Sequence, residues 1–462
     1  MGKLTRSSIC RLCRPLNVGK LLAALMLAGI LLPVASASAG WSAPSVVPGA
    51  KGWIVGPSGA AGPGGYGVVT WIGNLVDVKP GPGQEMKGFG YVSVKRRGAT
   101  RFSRPLRFGA KRGVRSPSVA VSARGATALT WAEGDGRQMV ALRGIKGKWK
   151  RPVAIRGPGS TNARISIGDD GTVALARAAK VGKKGTLQVM VAVKNPGGAF
   201  TRWIRVSGDP TNAGHPDVVA GQNGNATVAW APNCSFAPVA ELPLVRYVDV
   251  NHARHSRPRT VGNSKCVTFD IDLERDAEGF QYLRIGGSPS NYGTKLSVRS
   301  PGKSFPSADW VSPPEQTASG GRLMVNRKGR YTIIWDFTLD GYMREAYVYV
   351  NGRKTGPMSG IQEIDGLRYP DDYLQDAAID RQGVVSTFWY DIYNQKFGVG
   401  SLTTGQTFPG IRWPFPPQNK SGLKPAGLEM AADGSQFAWW AEENDRLQIY
   451  KLQSSSRIVP SK

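Results

Sequence analysis

Histidine and cysteine are scarce in this chain, which has three histidines and four cysteines among 462 residues. His252 and His255 stand three residues apart, and on a strand that spacing points the two rings to opposite faces. The pair is therefore poorly placed to share a metal ion. The chain also lacks a nucleophile-elbow serine motif and the glycine patterns of Walker and Rossmann sites. These absences argue against the corresponding hydrolase and nucleotide-binding classes, and we expect no metal and no cofactor.

Long apolar runs are also lacking, apart from LLAALMLAGILLPV at 21–34. This run is shorter than the roughly 20 residues that a membrane span needs. Five basic residues precede or adjoin it, and the small residues ASASAG follow it at 35–40. The pattern predicts a signal peptide at 1–39, cut after Ala39, with an uncleaved anchor as the alternative. We expect a secreted or extracytoplasmic protein, cell-wall association being one option, with no transmembrane segment after cleavage.

The cysteines agree with export. Cys10 and Cys13 fall within the signal, so only Cys234 and Cys266 remain in the mature chain. An even pair in an oxidising compartment predicts a disulfide between them. Two free thiols, or half of a metal site, is the alternative.

A glycine followed six residues later by tryptophan recurs along the chain. The glycines are separated by 46 to 60 residues and lie at Gly65, Gly125, Gly171, Gly224, Gly279, Gly329, Gly383 and Gly434. Six of the eight positions that follow hold tryptophan: Trp71, Trp131, Trp230, Trp335, Trp389 and Trp440. Arg177 and Ile285 occupy the other two. A period near 50 residues indicates a solenoid, a propeller or an array.

Within each unit the apolar residues alternate with period two. In the second unit, the segments 116–123, 126–132, 137–144 and 148–156 read as four strands separated by glycine turns. The sequence therefore predicts an all-β fold, a β-propeller of four-stranded antiparallel blades, over residues 40–462 as a single domain. Eight frames predict eight blades, with seven as the alternative. Residues 41–47 resemble a fourth strand, so we expect this N-terminal strand to complete the last blade.

The frame residues have separate predicted roles. The glycine supplies the positive φ of the turn between the first and second strands. The tryptophan shares a face with the residue two positions before it, and we expect that face to pack on a neighbouring blade. The pattern as a whole resembles that of bacterial exported β-propeller repeat proteins. The resemblance covers the mature chain and is one of architecture, so it implies a fold and no specific activity.

Acidic residues are few in the first part of the mature chain. Residues 40–210 hold 28 lysines and arginines against seven acidic residues, whereas residues 211–462 hold 27 against 25. One sector of the ring should therefore attract polyanions. The alternative is a solvated basic surface that aids solubility. The predicted polyanion-binding residues are Lys95, Arg96, Arg97, Arg101, Arg104, Arg107, Lys111, Arg112, Lys146, Lys148, Lys150 and Arg151.

Acidic residues also follow the tryptophan frame in several units. Glu133, Asp336, Asp391 and Glu442 lie near the loops between second and third strands, which should emerge on one face of the ring. Converging carboxylates could perform acid–base chemistry or hold Ca²⁺, whereas the alternative is polar residues on exposed turns. The sequence thus leaves enzymatic activity open.

Together these features predict a binding or scaffolding protein of the cell envelope. Its expected partners are anionic envelope polymers or glycans, engaged by the basic sector and one loop face. Genomic DNA is not an expected partner, because the signal directs the protein out of the cytoplasm and no nucleic-acid fold motif is present. The alternative is an extracellular glycan hydrolase or lyase with the loop carboxylates at the channel mouth.

Overall fold

The computed structural model describes most of the chain after the predicted signal. The described residues are 42, 45–50, 53–74, 88–109, 113–145, 147–158, 163–182, 186–207, 213–232, 244–265, 271–286, 293–312, 317–339, 342–350, 362–363, 372–391, 394, 396–402, 426–431, 433–444 and 449–457. They contain strands and no helix. A helix long and apolar enough to cross a membrane is thus absent from the described part of the chain.

The strands form antiparallel sheets, which we number in chain order. Sheet 1 contains β2 (Trp53–Gly62), β3 (Tyr66–Asn74), β4 (Phe89–Lys95) and β5 (Leu106–Phe108). Sheet 2 contains β6 (Val114–Val121), β7 (Thr127–Glu133), β8 (Gln138–Arg143) and β9 (Val153–Ile155). Sheet 3 contains β10 (Arg164–Ile167), β11 (Val173–Val181), β12 (Thr186–Lys194) and β13 (Ile204–Arg205). Sheet 4 contains β14 (Ala213–Ala220), β15 (Asn225–Pro232), β16 (Leu244–Asn251), β17 (Arg254–His255) and β18 (Arg259–Lys265).

The second half of the chain continues this order. Sheet 5 contains β19 (Ile271–Arg275), β20 (Gln281–Ile285), β21 (Lys295–Arg299) and β22 (Asp309–Trp310). Sheet 6 contains β23 (Thr317–Val325), β24 (Tyr331–Leu339), β25 (Tyr342–Val350) and β26 (Gln362–Glu363). Sheet 7 contains β27 (Asp372–Ile379), β28 (Val385–Asp391) and β29 (Lys396–Leu402). Sheet 8 contains β30 (Ala426–Met430), β31 (Gln436–Asn444), β32 (Ile449–Arg457) and β1 (Ser45–Val46).

The sheets are arranged in a ring. The first strand of each sheet contacts the first strand of the next, from β2 and β6 onward, and β30 of sheet 8 contacts both β27 and β2. The first strands therefore surround the interior of the ring, and the later strands lie progressively farther out. This is a β-propeller arrangement, as the period of the sequence predicts.

The strand count differs in detail from the prediction of eight four-stranded blades. Six sheets have the expected four strands, whereas sheet 4 has five and three strands of sheet 7 are described. The prediction of eight four-stranded blades, with seven as the alternative, is therefore corrected to six four-stranded sheets among the described residues. The extra strand of sheet 4 arises because β17 and β18 pair with the two ends of β16.

The frame glycines close the turns between first and second strands, as predicted. All eight have positive φ, between 70° and 92°. In the turn of sheet 3, the Gly171 N–H donates to the Gly168 carbonyl at 3.0 Å, and the Gly168 N–H donates to Thr172 at 2.8 Å. The Asp170 carboxylate then accepts the Thr172 N–H at 2.9 Å. The left-handed residue directs the chain back into the second strand, which is why glycine recurs there.

The six frame tryptophans are buried, with at most 1% of each side chain exposed. Each packs on the preceding sheet of the ring, so the prediction of inter-sheet packing is confirmed. The Trp131 ring lies 4.6 Å from that of Phe108 in sheet 1, and the Trp440 ring lies 5.5 Å from that of Phe397 in sheet 7. Burying about 200 Å² of indole corresponds to about 5 kcal/mol of transfer free energy per ring, before the entropy of ordering it is subtracted.

Arg177 occupies the tryptophan position of sheet 3 and is also fully buried. Its guanidinium lies 4.0 Å from the centre of the Trp203 ring, and Nη2 donates to the Pro158 carbonyl. Burial lowers the pKa of Arg177 to about 10. A cation stacked on an aromatic ring thus fills the space that a tryptophan fills in the other sheets.

Candidate functional site

The connections between strands of one sheet emerge at the two ends of the strands. In a sheet of four consecutive antiparallel strands, the 1–2 turn and the 3–4 connection lie at the same end of the strands, and the 2–3 loop lies at the opposite end. Contacts confirm this, because the Gly98 N–H donates to the Gly64 carbonyl and the His252 N–H donates to the Gly224 carbonyl. We call this side of the ring the turn face and the opposite side the loop face.

Most of the predicted polyanion-binding residues are exposed on or near the turn face. Arg96 to Arg104 belong to the 3–4 connection of sheet 1, and Lys148 to Arg151 to that of sheet 2. We define the basic strip as the exposed residues Arg96, Arg97, Arg101, Arg104, Lys148, Lys150 and Arg151. No basic-strip side chain forms an ion pair with an acidic side chain in the described ranges.

The basic strip crosses from one sheet to the next. The Arg97 guanidinium donates to the Arg124 carbonyl at 3.1 Å, which joins sheet 1 to the turn of sheet 2. Toward sheet 3, burial and the charge of Lys150 lower the pKa of Lys194. Positive charge therefore accumulates along adjacent sheets with no ion-pair partner for the basic strip in the described part of the chain, a distribution that favours anionic ligands.

The other predicted basic residues lie elsewhere. Arg107 is exposed on the outer strand β5, with its guanidinium 4.4 Å from the Phe89 ring centre. Lys95 was expected on the same surface, but its side chain is only 1% exposed, and burial lowers its pKa to about 8. Lys111, Arg112 and Lys146 lie outside the described residues.

A polar cleft opens on the turn face between sheets 4 and 5. Its volume is about 640 Å³. One wall is formed by the 1–2 turn and the 3–4 connection of sheet 4, and the other by the corresponding segments of sheet 5. Left-handed residues shape both walls, with φ of 55° at Asn223, 50° at His252 and 74° at Gly302.

Arg299 forms the floor of the cleft. Its side chain is 5% exposed and packs against the rings of both Tyr247 and Phe305, at 4.9 and 4.5 Å from their centres. The guanidinium donates to both carboxylate oxygens of Asp249, from Nη1 to Oδ2 at 3.0 Å and from Nη2 to Oδ1. Nε donates to Gln281 at 3.0 Å and Nη1 also donates to the Lys303 carbonyl at 3.2 Å. Because Nη2 also donates to the Thr227 hydroxyl oxygen at 2.9 Å, all five N–H groups of Arg299 have acceptors.

Asp249 is the acidic group of the cleft. Its side chain remains 41% exposed although Arg299 binds both carboxylate oxygens. Burial favours the protonated form, but hydrogen bonds and charge from Arg299 outweigh it and hold the pKa of Asp249 below its usual range. The Thr227 hydroxyl donates to Oδ1 at 2.9 Å. Asp249 is therefore an ionised, oriented hydrogen-bond acceptor that solvent and ligands can reach.

The rim of the cleft is basic. Arg254 and His255 come from the 3–4 connection of sheet 4, and Arg275 comes from the end of β19 in sheet 5. Neither Arg254 nor Arg275 forms an ion pair with another described side chain. The His255 ring Nδ1 lies 2.8 Å from the Ser256 carbonyl oxygen. The sequence indicated only that His252 and His255 are poorly placed to share a metal ion, and it did not predict this cleft.

A second group of titratable side chains faces the interior of the ring. Side chains of several first strands accept a backbone N–H from the first strand of the next sheet at 2.8 to 3.0 Å, namely Ser166 from Ala220, Asp217 from Leu273, Asp272 from Leu323 and Asp376 from Leu428. These bonds join adjacent sheets directly. Because the same kind of hydrogen bond recurs between several pairs of neighbouring sheets, we assign most of these carboxylates a structural role.

Arg322 connects three carboxylates from different sheets inside the ring. It forms an ion pair with Asp376 of sheet 7 and interacts electrostatically with Glu274 of sheet 5 and Glu429 of sheet 8. Loss of hydration inside the ring, followed by the charges of Asp217 and Asp272, raises the pKa of Glu274 to about 8, although its side chain is exposed to solvent. Loss of hydration likewise raises the pKa of the half-buried Glu429 to about 8. Contact of the Glu274 side chain with solvent makes its shift smaller than full burial would give.

The turn-face end of the interior is crossed by an ion pair. Arg327 Nη2 lies 2.7 Å from Asp169 Oδ2. These residues belong to the 1–2 turns of sheets 6 and 3, which sheets 4 and 5 separate along the ring. The contact therefore spans the opening rather than following its edge.

The two predicted loop carboxylates whose side chains are described, Glu133 and Asp391, lie apart. The buried Glu133 accepts the Trp131 indole N–H at 3.0 Å. Asp391 accepts the backbone and side-chain N–H groups of Asn394 at 2.8 and 2.7 Å. These two residues lie in non-adjacent sheets, and each has local partners. The side chains of Asp336 and Glu442 lie outside the description, and no group of three potential metal ligands occurs among the described residues.

The sequence matches no family model and no curated protein. Among solved structures, the chain is similar to an acylaminoacyl peptidase from Pyrococcus horikoshii, with 8% identity and a TM-score of 0.46 over 85% of this chain and 58% of the other. It is similar to the lectin BP39L from Burkholderia pseudomallei, with 12% identity and a TM-score of 0.45 over 84% and 92%. It is also similar to the polysaccharide lyase Uly1, with 9% identity and a TM-score of 0.44 over 72% and 88%. Likenesses at this level transfer no activity, and the functional argument rests on the chain's own residues.

Proposed function

We propose that this protein is an exported β-propeller that binds anionic or carbohydrate polymers at the cell envelope. The observation that carries the proposal is the basic strip, an exposed row of arginines and lysines without ion-pair partners in the described part of the chain. The strip lies on the same face of the ring as the polar cleft. An extended polymer could therefore contact several sheets at once, and many weak contacts would together increase the affinity of the protein for the polymer.

The proposal predicts binding that depends steeply on salt, because each phosphate, sulfate or carboxylate engaged by the strip releases a counterion. The test is retention of the mature protein on cell-wall material as salt rises, with and without the anionic polymers of the wall. The informative variant is Arg101→Gln/Arg104→Gln, which removes two charges from the strip. The matched control is Arg156→Gln/Lys180→Gln, which removes two exposed charges from the loop-face side of sheets 2 and 3.

We expect the strip variant to elute at lower salt and the control to elute with the wild-type protein. Elution of both variants with the wild-type protein, or retention unchanged after the anionic polymers are stripped, would contradict the proposal. The basic residues would then serve solubility. Equal losses in both variants would likewise contradict a localised surface.

Export and the disulfide are also part of the proposal. Residues 1–39, Cys234 and Cys266 lie outside the described residues, so both features rest on the sequence. We expect the secreted protein to begin at Gly40, which N-terminal sequencing would establish. The mass of the intact protein should rise by two hydrogens on reduction if the two cysteines are joined. An uncleaved N-terminus or an unchanged mass would contradict the corresponding part.

We also propose that the N-terminal strand completes the last sheet and so closes the ring. Support comes from β1, which pairs antiparallel with β32, Ser45 lying opposite Ser454. Deleting residues 40–50 should then lower the midpoint of unfolding, because β32 would become an unpaired edge. An unchanged midpoint would argue against a closing role for β1.

A second candidate function is glycan hydrolysis or elimination inside the ring. The observation that favours it is Glu274, a solvent-exposed carboxyl inside the ring whose pKa is raised to about 8 by loss of hydration and by the charges of Asp217 and Asp272. A protonated carboxyl beside ionised ones suits a general acid. Release of new reducing ends or unsaturated sugars from anionic polysaccharides, abolished in Glu274→Gln, would support it. Activity that survives in this variant would contradict it.

A further inference from the structure

The polar cleft contains groups that its own network leaves available. Arg299 has an acceptor for every N–H, so it orients Asp249 and offers no donor to a ligand. Asp249, in contrast, is ionised and 41% exposed. Such a carboxylate, fixed from below by a buried arginine, is suited to accept hydrogen bonds from hydroxyl groups.

The rim supplies the complementary chemistry. Arg254 projects from sheet 4 and Arg275 from sheet 5, and both line the cleft without an ion-pair partner among the described side chains. A guanidinium presents paired donors that match the geometry of a carboxylate or sulfate. Two of them on opposite walls would hold a single anionic group between adjacent sheets.

The dimensions fit a small ligand rather than a whole polymer. A volume of about 640 Å³ lies within the range of about 300–1,000 Å³ typical of small-molecule sites. The cleft opens on the turn face, where the basic strip also lies. It could thus receive one unit of a polymer, or a terminal unit, while the strip contacts the remainder.

We propose that the cleft is a subsite for one acidic sugar unit. Arg254 and Arg275 bind its carboxylate or sulfate, and Asp249 accepts hydrogen bonds from its hydroxyl groups. The inference rests on the proposed polymer-binding function and assigns recognition of the individual unit to a site separate from the strip. Arg299 acts as a positioning residue, since it contacts Asp249 and not the ligand.

The test uses the mature protein and short oligosaccharides, which cannot span from the cleft to the basic strip. Calorimetry would compare a uronic-acid disaccharide, a sulfated disaccharide and a neutral disaccharide of the same length. The variant is Arg254→Gln/Arg275→Gln. The matched control is Arg257→Gln/Lys303→Gln, which removes two exposed charges from the same two sheets outside the cleft lining.

We expect at least one anionic disaccharide to bind the wild-type protein, with affinity reduced about tenfold or more in the cleft variant and within about twofold in the control. The comparison of the uronic-acid and sulfated probes identifies which anionic group the cleft accepts. Equal binding of the neutral disaccharide, absence of binding by both anionic probes, or equal losses in both variants would overturn the proposal.

Failure of the subsite and failure of the polymer-binding function are distinguishable. Retention on wall material that depends on Arg101 and Arg104, together with disaccharide binding indifferent to Arg254 and Arg275, would overturn the subsite alone. Retention that ignores the strip variant would overturn the polymer-binding proposal. A circular-dichroism spectrum and an unfolding midpoint equal to those of the wild-type protein would establish that each variant is folded.

Discussion

Gly171→Ala isolates the contribution of backbone conformation to the repeated turn. Gly171 has a φ of +89°, and a methyl group added at its Cα would meet no atom within 4 Å. Alanine at this position should therefore cost only the strain of the left-handed conformation, about 1–2 kcal/mol of unfolding free energy. Gly171→Asn should cost less, because asparagine tolerates this region better than alanine.

Gly144→Ala is the matched control. An added methyl group also meets nothing within 4 Å there, but the φ of Gly144 lies outside the left-handed region. The unfolding free energy should be unchanged or raised by up to about 1 kcal/mol, because alanine restricts the unfolded chain. Equilibrium unfolding in urea, followed by tryptophan fluorescence, measures both variants. Equal losses in the two, or a loss only in Gly144→Ala, would refute the assignment of the frame glycine to backbone strain.

Three further predictions concern packing, turn capping and pH. Trp335→Ala should lower the unfolding free energy by about 3–5 kcal/mol, because the ring is fully buried. Trp310→Ala removes a half-buried ring and should lower it by clearly less. Similar losses in the two variants would contradict the packing role of the frame tryptophan. Asp276→Ala removes an oxygen that accepts the Glu278 and Phe280 backbone N–H groups at 2.9 and 3.0 Å, so the unfolding free energy should fall by about 1–3 kcal/mol. Asp276→Asn retains an acceptor oxygen and should lower the unfolding free energy by less. Loss of hydration inside the ring raises the pKa of Glu274 from 4.5 to about 8, although solvent contact with its side chain reduces the effect, so the folded protein retains a proton that the unfolded chain releases. Stability should therefore fall as pH rises from about 4.5 to 8, and Glu274→Gln should flatten that dependence in urea midpoints measured across the range.

The repeat could be predicted from the sequence because its causes are local. A left-handed residue between two strands almost requires glycine, so all eight frame glycines could be placed in turns before any contact was known. The tryptophans follow at a fixed distance because the second strand meets the preceding sheet at a fixed depth. Arg177 shows the limit of this reasoning, since its position in the frame predicts burial but not the Trp203 ring that accommodates its charge.

The cleft could not be predicted in the same way because its parts are distant in sequence. Thr227 and Arg299 are 72 residues apart and meet only when sheets 4 and 5 become neighbours. Lys95 illustrates a related failure. It begins a basic run at 95–97, but it ends strand β4, whose residues 92–95 are buried on both faces. Composition therefore predicts which sheets carry the excess of basic residues, whereas the exposure of each side chain depends on the packing of its strand.

The Arg327–Asp169 ion pair narrows the turn-face mouth of the ring, because it joins the turns of sheets 6 and 3 across it. Both side chains are partly exposed, so the contact is weak and salt weakens it further. A ligand that approaches the interior from the turn face would therefore meet opposite charges at the mouth before it reached Glu274, Arg322 or Glu429, and its entry should become easier as salt rises.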